Sequence, residues 1–303
     1  MSEAVLRAYG LSEANLLGTG WESTIYALGT TQILRLPRPG PGVERQVRAR
    51  ANFTASLPPM PFAVPQVREI SMVDGQLVVI EDRIEGRAMA QMLANLSGPK
   101  RREALDAYLA AAETMAKLTA PGQAYGDLLI EQPLRRARWA DYLIARLQGA
   151  VEDEALAADV PGLAGIAARL AVRLNALPDP EPCVVHGDIW PPNVMMNDAL
   201  QVTGLIDFSF TTRIGDHVMD LAGAAHFIAL NNPHAADDHA YLMQLIATRH
   251  GPDAIDRIGL YAAWFAFSFA FNHEDKVIYP WCLDLIRRFD AGNNLSYTNG
   301  RFN

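Results

Sequence analysis

The sequence predicts an α+β protein with two lobes, a small antiparallel β lobe followed by a larger, mainly helical lobe. The first 82 residues contain short β-prone runs separated by glycine-containing turns. After Gly86 the pattern changes to long helical stretches rich in Ala, Leu and Arg. A short β-rich island at 183–206 interrupts these helices. We therefore expect lobes at 1–82 and 83–303, joined by a hinge at about 81–86.

The first lobe is predicted to be a small sheet with one inserted helix. A helical stretch that ends near Leu57 follows the first three strands, and the prolines at 58–61 stop it because proline cannot continue a helix. Asp74 and Gly75 predict a hairpin turn between the last two strands. The predicted strands cover 16–20, 23–28, 32–36, 64–72 and 76–81. The helix is expected to carry Arg45, Arg48 and Arg50 on its polar positions.

The second lobe is predicted from helical periodicity. Helices are expected at about 100–118, 131–148 and 163–177, and again from about 216 onward. The most apolar tract, 258–271, is too short and too interrupted by Ser and Gly to cross a bilayer, so it is expected to be a buried helix.

Composition limits the class of partner. The net charge of −8 disfavours binding to nucleic acid and suits a neutral or cationic partner, although many proteins carry such a charge for solubility. No basic segment followed by an apolar run begins the chain, and its two cysteines predict no disulfide framework. We therefore expect a cytoplasmic protein that binds no nucleic acid and no membrane.

The β island carries the residues that point to chemistry. Two apolar strands deliver Asp188, Asn193 and Asp207 at their ends. Phosphoryl transfer needs a carboxylate that accepts the proton of the attacking hydroxyl, and oxygen ligands that hold Mg²⁺ against the phosphates. Asp and Asn are also common in turns, where they cap backbone N–H groups, and for any one of these residues that explanation is the better one. The ordered set favours chemistry.

These motifs resemble those of a known enzyme family. The segments HGDIWPPN at 186–193 and GLIDF at 204–208 resemble the aminoglycoside phosphotransferase family, the antibiotic and choline-type kinases. Its HGD triplet differs from the HRD of protein kinases, and no APE-like motif follows Asp207. The resemblance, nearest to the aminoglycoside and macrolide kinases, implies a protein-kinase-like fold and Mg²⁺-dependent transfer of the γ-phosphate of ATP or GTP to a small-molecule hydroxyl.

The resemblance also assigns roles to individual residues. It implies that Asp188 is the catalytic base, that Asn193 and Asp207 bind magnesium, and that His186 braces the catalytic loop. The segment GDHVMDLA at 215–222 resembles another family motif. There we expect Asp216 to cap the following helix and Asp220 to support the catalytic loop by hydrogen bonding.

The nucleotide side is predicted from the first lobe. The loop GTGWEST at 18–24 lies between two strands, and there we expect the Gly20 backbone and the Ser23 hydroxyl to contact phosphate. Arg35 stands where the family has a Lys that pairs with the phosphates and with a helix Glu. Arg50 lies near the position expected for that Glu, and Glu44, about two turns earlier, is the nearest acidic candidate.

The hinge and the acceptor site are predicted by position. The segment EDRIEG at 81–86 resembles the hinge that binds the base, with backbone contacts near Asp82 and Ile84. Glu274 and Asp275 are our candidates for a cationic acceptor. Other carboxylates of this region are Asp237, Asp238 and Asp284, and its aromatic residues are Trp264, Phe265, Phe269, Tyr279 and Trp281. The aromatic residues suit a more apolar sugar or a quaternary amine, and helical aromatic stripes are also ordinary core.

Two functions from different classes follow. The first is an active kinase acting on a small hydroxylated molecule. The second is a kinase-like nucleotide-binding regulatory protein with little or no turnover, which the Arg at position 35 and the missing helix Glu suggest. The complete set of Asp188, Asn193 and Asp207 favours the enzyme, because a binding module has no need of a proton acceptor.

Overall fold

The N-terminal part of the protein is a five-stranded antiparallel sheet. The structure, a computed structural model, describes residues 2–20, 22–292 and 295, so Trp21 of the predicted phosphate loop lies outside the described residues. The strands are β1 (Leu16–Thr19), β2 (Ser23–Leu28), β3 (Gln32–Pro37), β4 (Val67–Val73) and β5 (Gln76–Asp82). Their order is β1-β2-β3-β5-β4. Helix α1 (Ser2–Ala8) precedes the sheet, and α2 (Val43–Ser56) connects β3 to β4.

Alternation along the strands gives this sheet two apolar faces. One face packs Leu34 and Val78 against Val5 of α1. The other packs Leu77 and Val79 against Val47 of α2. Because neighbouring residues of a strand point to opposite faces, Arg35 lies on the α2 side of the sheet, beside its strand partner Val79.

The rest of the chain is mainly helical, with two small sheets. Its helices are α3 (Met89–Leu93), α4 (Gly98–Met115), α5 (Trp139–Val151), α6 (Glu154–Asp159), α7 (Leu163–Asn175), α8 (Val218–Phe227), α9 (Ala235–His250), α10 (Pro252–Phe269) and α11 (Ile278–Asp290). Its strands are β6 (Arg87–Ala88), β7 (Tyr125–Asp127), β8 (Arg135–Arg136), β9 (Cys183–Val185), β10 (Val194–Met196), β11 (Val202–Leu205) and β12 (Arg213–Gly215).

The two small sheets place the predicted catalytic loops. Strands β11-β10-β6 form one sheet, and β8-β7-β12-β9 form the other. The β10–β11 hairpin holds Asn193, just before β10, next to Ile206, just after β11, because the Ile206 N–H donates to the Asn193 carbonyl at 2.9 Å. A large apolar core below these sheets includes the fully buried Trp139 and Trp264.

The predicted α+β fold class is confirmed, and one predicted helix is wrong in its first turns. Residues 131–138 are not helical: Arg135 and Arg136 form β8, and α5 begins only at Trp139. Pro133 disfavours helical backbone at the residue before it, and the Leu134 N–H bonds to the side chain of Asp127 instead. The apolar tract at 258–271 lies mostly in the buried helix α10, as expected. Across the described residues, we find no helix with the length and apolar character needed to span a membrane.

Candidate active site

The side chain of Asn193 fixes that of Asp188. The Nδ2 amide of Asn193 donates to the Asp188 backbone carbonyl at 3.0 Å and to its Oδ2 atom at 2.9 Å. Asp188 is partly buried, and among the described residues its Oδ1 atom receives no hydrogen bond. Asn193 therefore holds one carboxylate oxygen in place and leaves the other without a partner in the described structure.

The ring of His186 braces the same loop. The backbone N–H of Asp188 donates to Nδ1 at 3.2 Å, and Nε2 lies 3.0 Å from the Ile206 carbonyl. These partners require the neutral tautomer with its proton on Nε2, because a carbonyl oxygen can only accept. Burial agrees, since it lowers the pKa of His186 to about 4. His186 thus ties the catalytic loop to the end of β11 and stays neutral.

Asp220 holds the turn between β9 and Asp188. Its two carboxylate oxygens accept the backbone N–H groups of His186 at 2.9 Å and Gly187 at 2.8 Å, which is the support expected of it. Gly187 has a φ of +77°, and a Cβ atom there would lie 2.3 Å from the Thr211 carbonyl oxygen. Only glycine fits this position, so the turn that aims Asp188 depends on it.

Asp216 supports the start of α8 and ties it to α10. Its Oδ1 atom accepts the N–H of Val218, the first residue of α8, at 3.0 Å. Its Oδ2 atom accepts from Arg257 at 3.0 Å and from the Tyr261 hydroxyl at 2.6 Å. Asp216 therefore has a structural role: it caps the start of α8 and holds α8 against α10.

The oxygen atoms beside Asp188 suit a divalent cation. Asp207 follows β11 with a φ of +69°, a left-handed conformation that Asp tolerates better than most residues. Within the described part of the chain, no group donates a hydrogen bond to its carboxylate or to Asn193 Oδ1. Burial and the charge of Asp207 raise the pKa of Asp188 to about 8. The side-chain oxygen atoms of Asn193 and Asp207, next to the carboxylate of Asp188, are of the type that Mg²⁺ prefers as ligands. Asn193 and Asp207 therefore fit the predicted metal.

Arg35 is held by two partners on the cleft side of the sheet. It donates to both carboxylate oxygens of Glu81, through Nε at 3.0 Å and Nη2 at 3.3 Å. Its Nη1 atom donates to the Ser23 hydroxyl at 2.9 Å, which leaves the hydroxyl proton of Ser23 free for another acceptor. Glu81 is 1% exposed and Arg35 only 7%, so the pair is almost dry.

A second guanidinium lies near the position predicted for a helix acid. Arg50 of α2 donates to Glu81 Oε1 at 2.8 Å, so the buried Arg35 and the half-buried Arg50 share one carboxylate. The prediction that Arg50 lies on the polar side of the helix is wrong, because its side chain turns inward. Glu44 pairs instead with Arg48 on the exposed surface, which excludes it as the partner of Arg35. The sequence pattern did not identify Glu81 as the partner of Arg35. The two residues meet because the β3–β5 register sets Glu81 opposite Ile33, close to Arg35 on β3.

A cavity of about 270 Å³ lies in front of these two arginines. Glu22, Ser23 and Phe208 also line it. The backbone N–H of Gly20 already donates to the Ser23 carbonyl at 2.9 Å, so the structure brings the Ser23 hydroxyl to the cavity but not that N–H. Burial and the negative charge of Asp207 raise the pKa of Glu22. The loop thus places an acid close to Asp188 and Asp207.

The predicted hinge at 81–86 has backbone groups without a hydrogen-bond partner in the described structure. The backbone N–H of Ile84 has no hydrogen-bond partner among the described residues. The Asp82 side chain is occupied by Arg68, whose Nε atom lies 2.8 Å from Oδ1, and the Asp82 backbone N–H donates to the Gln66 carbonyl at 2.9 Å. The structure therefore leaves neither of these Asp82 groups free for a ligand. Ile84 packs its side chain over Gly204, where a Cβ atom would lie 2.3 Å from Ile84 Cγ2.

A larger cavity of about 510 Å³ lies between α5 and α10. It shares Glu22 and Phe210 with the cavity in front of Arg35 and Arg50, which we call the phosphate-side cavity. The two cavities therefore meet at the segment after Asp207. The structure does not bring the predicted substrate residues here. Glu274 is exposed on the surface, and Asp275 Oδ1 accepts the N–H groups of Val277 and Ile278 at the start of α11.

The carboxylates of this larger cavity come instead from residues that the sequence pattern did not single out. They are Glu22, Asp127 and Asp153. Of the predicted aromatic residues, Trp264 and Phe269 do line it. No local motif marks Asp127 or Asp153, because their position depends on how α5, α6 and α10 pack together.

Comparisons with known proteins show the family and the fold of this chain. The model of the phosphotransferase enzyme family matches residues 13–258. A search among curated proteins gives no match. Three solved structures illustrate the shared fold. A thermostable mutant of aminoglycoside phosphotransferase APH(4)-Ia in a ternary complex with ADP and hygromycin B is 17% identical, with 98% of this chain and 99% of that chain covered and a TM-score of 0.68.

The other two structures are similar over most of their length. The GDP and kanamycin complex of APH(2'')-IIIa is 18% identical over 96% of this chain and 98% of that chain, with a TM-score of 0.63. APH(3'')-Id from Streptomyces rimosus is 19% identical over 88% and 97%, with a TM-score of 0.55. At such identities these structures show a common fold, while the family model spans most of the sequence. This chain therefore belongs to the phosphotransferase enzyme family.

Proposed function

We propose that the protein transfers the γ-phosphate of ATP or GTP to a hydroxyl group of a small molecule. The observation that carries the proposal is the geometry of the catalytic loop. Asn193 holds one carboxylate oxygen of Asp188 and leaves the other without a hydrogen-bond partner in the described structure. Beside it lie the side-chain oxygen atoms of Asn193 and Asp207, which can act as metal ligands. A proton acceptor next to oxygen ligands for a metal is what phosphoryl transfer to an alcohol requires.

Asp188 acts as the general base in this proposal. The acceptor hydroxyl donates its hydrogen bond to Asp188 Oδ1, and its proton passes to that carboxylate as its oxygen attacks the γ-phosphorus. The bond from the γ-phosphorus to the bridging oxygen breaks, and the nucleoside diphosphate leaves. Asn193 keeps the carboxylate oriented, and His186 and Asp220 keep the loop in place. Mg²⁺, bound by Asn193 and Asp207, would neutralise charge on the phosphates.

Arg35 and Arg50 bind the phosphates of the nucleotide in this proposal. Both line the phosphate-side cavity, and they share the single negative charge of Glu81. Guanidinium groups bind phosphate through paired hydrogen bonds, so two arginines can take the role of the family's lysine. The Ser23 hydroxyl, whose oxygen accepts from Arg35, is placed to donate to the same phosphates.

The test is phosphoryl transfer from ATP and from GTP to a panel of hydroxylated acceptors, with and without Mg²⁺. The panel contains an aminoglycoside, a macrolide and an amino alcohol, and ³¹P NMR identifies a phosphate ester as product. We expect ester formation that depends on Mg²⁺ and is lost in Asn193→Ala. Ester formation at an undiminished rate in Asn193→Ala would contradict the proposed role of the loop.

The alternative is a nucleotide-binding regulatory protein with little or no turnover. Arg35 in place of the expected lysine favours it, as does the absence of an acid on α2 that pairs with Arg35 in the described structure. Tight nucleotide binding without ester formation on any acceptor would support this alternative. A bound nucleotide that turns over only when an acceptor is added would support the enzyme.

A further inference from the structure

We propose that the cavity between α5 and α10 binds the apolar body of a neutral alcohol and not a polycation. The inference rests on the proposed function, since it names the class of acceptor for the same site. The cavity volume of about 510 Å³ is within the range of sites for drug-sized ligands. It adjoins the phosphate-side cavity at Glu22 and Phe210, so a ligand in it has its reacting end near the segment that follows Asp207.

The most buried carboxylate of the cavity is already saturated by hydrogen bonds. Asp127 is 1% exposed. Its Oδ1 atom accepts from the Tyr142 hydroxyl at 2.7 Å, and its Oδ2 atom accepts from the Leu134 N–H at 2.8 Å and from the Arg146 guanidinium. A ligand ammonium group would have to displace these donors before it could pair with Asp127.

The carboxylate of Asp153 is also occupied. Its Oδ1 atom accepts the N–H of Leu156 at 2.9 Å as the cap of α6, and its Oδ2 atom lies 3.0 Å from His273 Nε2. Among the carboxylates that line the cavity, only Glu22 lacks such a partner in the described structure. One acid can receive one cationic group, but a ligand with several ammonium groups needs several acids.

Two guanidinium groups line the cavity as well. Arg146 lies beside Asp127, and the Arg213 guanidinium lies 4.9 Å from the centroid of the Trp264 ring. Arg213 also donates to the Tyr142 hydroxyl at 3.3 Å. Because Asp127 neutralises Arg146, the positive charge that is left to oppose a polycation is that of Arg213. A neutral ligand meets no such repulsion.

An aromatic rim gives the cavity its apolar character. Phe210 is 43% exposed and Phe271 is 49% exposed, and their ring centroids lie 6.4 Å apart in an edge-on arrangement. Phe269 lies deeper, stacked on Phe265 with centroids 5.8 Å apart. Exposed aromatic rings beside a cavity are typical of sites that bind apolar ligands. The rim therefore favours a ring-containing or branched hydrocarbon body that carries a hydroxyl group.

The experiment compares two probes in equilibrium dialysis with the full chain and no nucleotide. The neutral probe is 2-(1-naphthyl)ethanol, and the polycationic probe is kanamycin. We expect saturable binding of the naphthyl alcohol that is insensitive to salt, and no saturable kanamycin binding at the same concentrations. Phe210→Ala and Phe271→Ala should each weaken binding of the naphthyl alcohol by about fivefold, because an aromatic contact is lost.

The matched control is Val172→Ala on α7, which removes an exposed apolar side chain outside this cavity. It should leave the affinity for the naphthyl alcohol unchanged. Tighter binding of kanamycin than of the naphthyl alcohol would overturn the inference, as would absent naphthyl binding or unchanged affinity in both phenylalanine variants. Because no nucleotide is present, a failure of phosphoryl transfer would contradict the proposed function and leave this result standing.

Discussion

Arg35 and Glu81 form a two-point ion pair across strands β3 and β5, with Nε–Oε1 at 3.0 Å and Nη2–Oε2 at 3.3 Å. Arg50 joins the same carboxylate from α2. The charges of Arg35 and Arg50 outweigh the burial of Glu81, so its pKa lies below the usual range. Glu81 is therefore ionised and holds two buried cations together.

Removal of this carboxylate should destabilise the protein strongly. Glu81→Ala leaves two largely buried guanidinium groups without their carboxylate partner, and breaking a buried ion pair in this way costs about 3–5 kcal/mol. Urea denaturation measures the change in the free energy of unfolding. Glu44→Ala is the control, because the Glu44–Arg48 pair is exposed and should contribute about 0.5 kcal/mol or less. Equal effects of the two substitutions would contradict a central role for Glu81.

Arg50 should contribute to nucleotide affinity in spite of its place on α2. Arg50→Ala keeps the Arg35–Glu81 pair, so the fold survives, but a cation is lost from the phosphate-side cavity. We expect the Kd for the Mg²⁺ complex of ATP or GTP to rise about tenfold or more, as measured by calorimetry. Arg48→Ala, on the exposed side of the same helix, should leave the Kd unchanged. A Kd that Arg50→Ala does not alter would remove Arg50 from the site.

The hinge should respond to a methyl group at position 204. Gly204→Ala places a Cβ atom 2.3 Å from Ile84 Cγ2, and the branched Ile84 side chain has little freedom to move aside. The backbone near Ile84 must then shift, and we expect at least about a tenfold loss of nucleotide affinity. Gly259→Ala is the matched control, because nothing lies within 4 Å of its added Cβ atom and alanine favours a helix. Unchanged nucleotide binding in Gly204→Ala would mean that this part of the hinge does not contact the ligand.

Acid should destabilise the helical part of the protein through His239. Burial lowers its pKa from 6.5 to about 4 despite the Ala225 carbonyl 2.7 Å from Nδ1, and Arg288 and His226 lie nearby. The unfolded chain therefore binds the proton first as the pH falls. Stability is complete above pH 6.5 and decreases toward pH 4, by up to about 3 kcal/mol from this residue.

His239→Gln should flatten this dependence, as measured by urea denaturation at several pH values. His234→Gln, at an exposed position, is the control and should keep the wild-type slope. If the variant at position 239 retains the full loss of stability between pH 6.5 and 4, another group is responsible.

Local spacing was enough to predict the α+β fold class and that Asp188, Asn193 and Asp207 lie close together. Asn193 and Asp207 flank the paired strands β10 and β11, and Asp188 lies in the loop just before Asn193, so their sequence distances limit their spatial distances. Glu81 is 46 residues from Arg35, and their meeting depends on the β3–β5 register. No pattern within one segment contains that information.

The cavity between α5 and α10 shows the same limit of sequence-based prediction more clearly. Glu274 and Asp275 were chosen because free carboxylates near aromatic residues suit a cation, yet Asp275 serves the start of α11. Asp127 and Arg146 lie on separate elements, and their pairing becomes visible only when β7 packs beside α5. Whether a charged side chain is free or paired depends on the tertiary structure. Residue type and sequence position alone therefore do not predict which ligand a cavity binds.

The most direct test of the account is phosphate ester formation by Asp188→Ala, compared with the wild type by ³¹P NMR on an acceptor that the wild type uses. We predict a rate at least about 10²–10⁴-fold lower, because the general base is lost. Nucleotide affinity, measured by calorimetry on the same preparation, should be largely retained, since Arg35, Arg50 and the hinge are intact. Ester formation at a near-normal rate by Asp188→Ala would contradict the assignment of Asp188 as the base.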